Sequence, residues 1–268
     1  MSGKFYLEKF DKTRGVLCLS LNRPEVRNAF NDEMIEELTS LFLSLNKRDE
    51  VRLVLLEGKG KAFCAGADLN WMKKMKDYSQ EENKKDSEKL ADLFKTINKL
   101  NKPVIGLVKG YTLGGGAGLI SVCDYVLASD QSQFGFTEAR LGLVPAVISP
   151  YVISKIGESQ ARAYFLSGQL FSAEKALQMG LVHQIVSDEY FSESLEKLIG
   201  EFLKAAPLAA KEAKGLIQNV SDLIQKGDEA QITDYTCETI ARIRIADEGQ
   251  EGMTSLLEKK SPSWINKV

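Results

Sequence analysis

Pro103-Val104-Ile105-Gly106-Leu107-Val108-Lys109-Gly110-Tyr111-Thr112-Leu113-Gly114-Gly115-Gly116-Ala117-Gly118-Leu119 passes from a short apolar run through a glycine-rich loop into a second apolar segment. An apolar run of this length, rich in Val, Ile and Leu, reads over 103–109 as a strand buried on both faces, the kind found in parallel sheets. The glycines after it read as the start of a helix, whose free N–H groups and partial positive charge suit a bound anion. The pattern recurs on either side. Residues 15–21, 51–57 and 123–129 are further strands separated by stretches of helical period, so the first two-thirds of the chain reads as α/β.

Two helices stand out. Asn31 is placed to cap one whose Met34, Leu38, Leu41, Phe42 and Leu45 recur at three- or four-residue steps. The other, over 81–101, has Leu90, Leu93, Phe94, Ile97 and Leu100 on one side. Lys84, Lys85, Lys89, Lys95, Lys99 and Lys102 fall largely on the other, interleaved with Glu81, Glu88 and Asp92. These acids cancel the field that a nucleic-acid backbone needs, so the lysines read as a solvated face rather than an RNA-binding stripe. Beyond residue 187 the strand signal stops, Pro207 reads as a helix start, and Gly227 and Gly249 read as breaks. The chain is expected to divide into a core at 1–195 and a helical C-terminal module at 196–268, without a Pro/Ser-rich linker or a repeat. That module is expected to pack on its own core or on a neighbouring subunit.

The chain of 268 residues is long enough to bury a sizeable core. Lys and Arg number 35 against 37 Asp and Glu, a net charge of −2 that argues against nucleic acid or an anionic membrane as a partner. Cys18, Cys64, Cys123 and Cys237 lie far apart, and the single histidine, His183, cannot complete a usual zinc set with them. They read as reduced thiols, with no metal expected. The segment Met-Ser-Gly-Lys-Phe-Tyr-Leu-Glu-Lys-Phe lacks the apolar core of a signal peptide, and no uncharged apolar stretch approaches a membrane span. A soluble, cytoplasmic protein is expected.

Two loops, each after an expected strand, carry the chemistry. In Gly60-Lys61-Ala62-Phe63-Cys64-Ala65-Gly66-Ala67-Asp68-Leu69, small residues around Gly66 let a ligand approach the backbone. The other is the glycine run itself. It is no dinucleotide fingerprint, because Leu119 stands where the third glycine belongs, and no Gly-Lys pair completes a phosphate loop. Read singly, the loops are equally compatible with an ordinary strand-to-helix turn and with tight helix–strand packing. Read together, Ala67 and Gly115 each offer one N–H to a single oxygen, an oxyanion hole whose donors are typically worth ~3–4 kcal/mol each in the transition state. A thioester enolate is the natural occupant.

With Gln-Phe-Gly-Phe-Thr-Glu-Ala-Arg-Leu-Gly-Leu-Val-Pro at 133–145 added to residues 61–69 and 109–116, the order and spacing resemble the crotonase, or enoyl-CoA hydratase/isomerase, superfamily over nearly the full chain. Ala-Asp-Leu-Asn-Trp-Met (67–72), Pro-Ala-Val-Ile-Ser-Pro-Tyr (145–151) and Gly-Leu-Val-His (180–183) are similar to bacterial methylglutaconyl-CoA hydratases of leucine degradation. The resemblance implies a spiral of ββα units with a helical C-terminal trimerisation region, assembled as a homotrimer or hexamer. It implies an acyl-CoA thioester substrate and no cofactor beyond the coenzyme A the substrate carries. Ala67 and Gly115 would supply the oxyanion N–H groups. The backbone around Lys61 and Ala65 would line the adenine pocket, Arg27 and Lys61 would lie near CoA phosphates, and Lys259 would reach a neighbour's CoA. Leu256 stands where relatives can present an aromatic ring.

Hydratases of this superfamily typically carry two glutamates. This chain has Gly118 at the first of those positions and Glu138 at the second. One carboxylate would then both activate water and return the proton, as in the feruloyl-CoA hydratase-lyases that share this pattern. A single base also suits a double-bond isomerase, and a non-catalytic acyl-CoA-binding protein is a reading of another class. Phe134, Phe136 and Leu141 are expected to wall Glu138 and raise its pKa. Asp68 reads as a helix N-cap and His183 as structural; Trp71 and Met72 suit either an acyl pocket or the core. Nothing near Cys64 in sequence lowers a thiol pKa, so it is not read as a nucleophile.

Overall fold

The computed structural model of the protein describes residues 4–265, so residues 1–3 of the N-terminal segment and 266–268 of the expected helical module lie outside the described residues. The strands are β1 Tyr6–Asp11, β2 Val16–Leu21, β3 Leu53–Gly58, β4 Ala62–Cys64, β5 Val104–Val108, β6 Tyr111–Leu113, β7 Tyr125–Ser129, β8 Gln133–Gly135, β9 Leu170–Ser172 and β10 Gln184–Val186. The α-helices are α1 Asp32–Leu45, α2 Leu69–Met75, α3 Gln80–Asn98, α4 Gly115–Ser121, α5 Ser149–Ser167, α6 Ala173–Gln178, α7 Phe191–Lys204, α8 Pro207–Lys226, α9 Glu229–Ile245 and α10 Asp247–Leu257.

One sheet has six strands in the order β1-β2-β3-β5-β7-β10, and a second has four in the order β4-β6-β8-β9. Pairing is parallel except between β1 and β2 and between β8 and β9. The pairs β3–β4, β5–β6 and β7–β8 each lay one strand in the large sheet and the next in the small one before a helix follows. This is the ββα spiral. The four longer strands expected from sequence match β2, β3, β5 and β7, whereas the three-residue strands of the small sheet are too short to show a periodicity.

Continuous apolar runs are needed because alternate residues of the central strands enter different cores. Val54, Leu56, Val104, Val108 and Val126 face the main core, which includes Met34, Leu38 and Phe42 of α1. Leu53, Leu55, Ile105, Leu107 and Leu127 face the other way, onto Leu198, Ile199 and Leu203 of α7. A helix over one face and the spiral interior over the other bury Leu53–Leu56, every residue of β5 and Val126–Ser129. The expected boundary at 195/196 therefore falls inside a helix that covers the core sheet, and the outlying helices begin at Pro207, the first residue of α8. Lys214 of α8 ties them back, with its Nζ 2.7 Å from Asp124 Oδ2 and 3.1 Å from the Lys102 carbonyl.

Asn31 caps α1 by accepting the Met34 N–H at 2.9 Å. Gly227 ends α8 in the left-handed conformation, as expected of a break. Gly249 does not break a helix but lies inside α10. The break is at Ala246, and a Cβ on Gly249 would stand 2.2 Å from the Ile243 carbonyl oxygen, so glycine is required by the close return of the chain. Three α3 lysines have acidic partners: Lys85 lies 3.0 Å from Glu81, Lys84 3.8 Å from Glu88 and Lys89 2.5 Å from Glu36. Among the described residues no helix is long and apolar enough to cross a membrane.

His183 serves the large sheet. Its N–H donates to the Val126 carbonyl at 3.0 Å, its Nδ1 accepts the Val126 N–H at 3.0 Å, and its ring stacks 4.8 Å from that of Tyr125. Burial, reinforced by the charge of Lys155, pushes the imidazole pKa down to about 4. The unfolded histidine takes a proton below about 6.5 while the folded one does not, so its contribution to stability is full above that pH and is lost between 6.5 and 4. Urea unfolding across this window is expected to show the wild type losing more stability toward acid than His183→Gln. Identical pH profiles would remove the role.

Candidate active site

The small sheet delivers the site. β6 lies between β4 and β8 and runs parallel to both, with Cys64 opposite Thr112 and Leu113 opposite Gly135. The carboxyl ends of these strands bring together the loop carrying Ala67, the start of α4 at Gly115, and Glu138. Ligand sites of α/β folds gather at such strand ends. All three residues line one cleft of about 390 Å³.

Peptide planarity gives the direction of the two N–H groups. The Gly66 carbonyl accepts the Phe30 N–H at 2.7 Å, and the Asp68 N–H donates back to the Phe30 carbonyl at 2.8 Å. Within a trans peptide the C=O and the next N–H point oppositely, so the Ala67 N–H faces away from Phe30. The Gly114 carbonyl accepts the Gly118 N–H at 3.1 Å along α4, so by the same rule the Gly115 N–H points out of the helix N-terminus. Gly114 makes this entry with φ 51° and ψ −119°, a conformation that side-chain-bearing residues rarely adopt.

Glu138 opens a single 3₁₀ turn, Glu138–Leu141, and its carboxyl lies over Gly114: a Cβ on that glycine would stand 3.1 Å from Glu138 Oε1. Oε2 is buried and makes no hydrogen bond among the described residues. Burial raises the carboxyl pKa above the ordinary 4.5, opposed in part by a backbone N–H. The apolar wall differs from expectation. Phe134 and Phe136 are wholly enclosed in the core against Phe171, whereas Leu141 lines the cleft together with Val144 and Ile148.

No carboxylate can stand at position 118 in this packing. A Cβ on Gly118 would meet Ile148 Cγ2 at 2.2 Å and Phe94 Cζ at 3.1 Å, so Ile148, at the entrance to α5, holds the space that a side chain there would need.

Asp68 caps α2 by accepting the Asn70 and Trp71 N–H groups. Its other oxygen takes Arg23 Nη2 at 2.8 Å, while Arg23 Nη1 donates to the Ala29 carbonyl at 2.6 Å, so one guanidinium clamps the Ala67 loop to the strand-like segment at Phe30. Arg23 has no motif of its own and was not legible in sequence. Trp71 is buried, and it and Met72 line the cleft. Cys64 is enclosed and its thiol is pushed up to about 12, which leaves no nucleophile there.

The residues expected to hold CoA are only partly brought together. Ala65 lines the cleft and its N–H donates to the Arg27 carbonyl at 3.0 Å. Arg27 and Lys61 are exposed beside it and do not line it. Lys259, also exposed, follows α10 and lies outside the cleft of its own chain. The far wall comes from Met75, Asp86, Ser87 and Leu90 of α2 and α3, which sequence reading did not connect to the site. Among the described residues no group of three or more His, Cys, Asp or Glu is placed to hold a metal.

A family model described as enoyl-CoA hydratase/isomerase matches residues 11–267. The chain is 32% identical over 93% of its length to 97% of a Thermus thermophilus protein named provisionally as an enoyl-CoA hydratase. It is 30% identical over 93% of its length to 94% of the 2,3-dehydroadipyl-CoA hydratase of Escherichia coli. The crystal structure of an enoyl-CoA hydratase from Shewanella pealeana superposes with a TM-score of 0.91 at 36% identity, covering 97% of this chain and 96% of that one.

Proposed function

The chain belongs to the enoyl-CoA hydratase/isomerase family, and we propose that it adds water across the 2,3 double bond of an acyl-CoA thioester through an enolate held by the N–H groups of Ala67 and Gly115. The observation that carries this reading is the convergence, at neighbouring strand ends, of two outward N–H groups with the buried carboxyl of Glu138, whose Oε2 makes no hydrogen bond among the described residues. Ionised Glu138 takes a proton from water as its oxygen attacks Cβ, and the displaced electron pair moves to the thioester oxygen, where the two N–H groups stabilise it. The enolate then collapses and the Glu138 carboxyl returns the proton to Cα.

Incubation with a panel of 2-enoyl-CoA thioesters, followed by product mass, tests this. A product one water heavier is expected, and no such product from any thioester overturns it. One observation favours a second reading: Ile148 leaves no room for a carboxylate at position 118, and a double-bond isomerase needs only one base beside the enolate. A product of unchanged mass with a moved double bond is its signature.

On this reading Ala65, Arg27 and Lys61 hold coenzyme A, which enters only as part of the substrate, and Lys259 reaches the CoA of a neighbouring subunit. The exposed Ile217, Ile224, Ile240, Ile245, Leu256 and Leu257 of α8–α10 support assembly as a trimer or hexamer through the C-terminal region. The cytoplasm is the proposed location. A 3-methylglutaconyl group offers a branched methyl that suits the apolar lining, but its carboxylate meets no Lys, Arg or His among the residues lining the cleft.

A further inference from the structure

Asp86 sets the charge of the far wall. It is half-buried on α3, and it lines the cleft next to Ser87 and across from Trp71, among otherwise apolar neighbours such as Met75 and Leu90. Burial raises the Asp86 carboxyl above its ordinary value, and the indole N–H of Trp71, buried without meeting hydrogen-bond geometry, lies near enough to oppose that rise in part. The charge of Asp32 adds to the rise and that of Lys89 opposes it. Two neighbouring cations pair with other acids: Lys89 is 2.5 Å from Glu36 and Lys74 is 3.9 Å from Asp32. Among the described residues lining the cleft, no Lys, Arg or His stands beside this carboxyl.

We propose that Asp86 is a specificity-determining residue that excludes acyl chains ending in a carboxylate, so that the cleft selects uncharged enoyl chains. The inference rests on the acyl-CoA reading above and names its substrate class. A second carboxylate brought into this partly water-excluded space would meet a like charge and find no donor cation, whereas an alkyl end would meet Leu90, Met75 and Trp71. Repulsion of this kind is how a site rejects a competitor of the same size.

The test compares saturated acyl-CoA thioesters of six and eight carbons, ending in methyl or in carboxylate, by titration calorimetry, alongside turnover of the matching 2-enoyl thioesters. In the wild type the methyl-ended thioester is expected to bind about 10-fold more tightly at one or both lengths. Asp86→Asn is expected to narrow that ratio to about threefold or less, chiefly by tightening the carboxylate-ended thioesters, and Asp86→Lys to reverse it. Equal binding in the wild type at both lengths, or a ratio that neither substitution moves, overturns the proposal. Discrimination in binding with no turnover of any enoyl thioester would overturn the hydration reading and leave the role of Asp86 standing.

Discussion

Glu138→Gln is expected to lower kcat by ~10²–10⁴-fold, the range in which a positioned general acid–base contributes. The amide keeps the shape over Gly114 but can neither take a proton from water nor return one to Cα. Because burial raises the Glu138 carboxyl above 4.5, the acid limb of the wild-type kcat/KM profile should fall at a pH above that value and disappear in the variant. Stability should move the other way. A carboxyl whose folded pKa is raised costs stability once pH exceeds its unfolded value, since the folded state resists giving up the proton. The neutral amide escapes that cost, so at neutral pH the Tm of Glu138→Gln should equal or exceed that of the wild type. Near wild-type turnover would remove Glu138 from the chemistry. A Tm drop matching the activity loss would mean that the substitution had only damaged the fold.

Gly118→Glu is expected to destabilise the protein by ~3 kcal/mol or more and not to raise hydratase activity, although it restores the carboxylate that many hydratases carry there. The first atom added already overlaps Ile148 Cγ2 at 2.2 Å, and a longer acidic side chain must then be buried against Phe94. Ile148→Ala should relieve part of the overlap. In a double-mutant cycle the pair is expected to be coupled by ~1–3 kcal/mol, the double variant being more stable than the sum of the singles predicts. Urea denaturation of the four proteins measures it. A Gly118→Glu protein of wild-type stability would show that Ile148 yields easily and that packing is not what excludes a second carboxylate.

The α/β architecture, the central strands and the glycine loops were legible without any structure, because each rests on local pattern. Val104–Val108 is apolar at every position because both faces of its sheet are covered, and that requirement is written in consecutive residues. The N-caps at Asn31 and Asp68 were readable for the same reason: donor and acceptor lie within three residues of each other. The small sheet was not, since strands such as Tyr111–Leu113 are shorter than any periodicity. Nor was the part that α7 plays over the large sheet, because amphipathic helices look alike whether they join a core or a separate module.

The sequence by itself determined that a glycine-rich loop follows a buried strand, that position 118 is a glycine and carries no carboxylate, and that Glu138 is the acid that follows it in the third motif. Only the tertiary structure decided why position 118 must stay empty, through Ile148, and what the far wall holds, through Asp86 and Trp71. Tertiary structure also supplied the Arg23 clamp on the Ala67 loop. The physical reason is that local pattern records which side of an element is buried, whereas a site depends on which volumes and charges from distant segments come to share one space. That is settled by close packing in three dimensions and leaves no mark at fixed spacing along the chain.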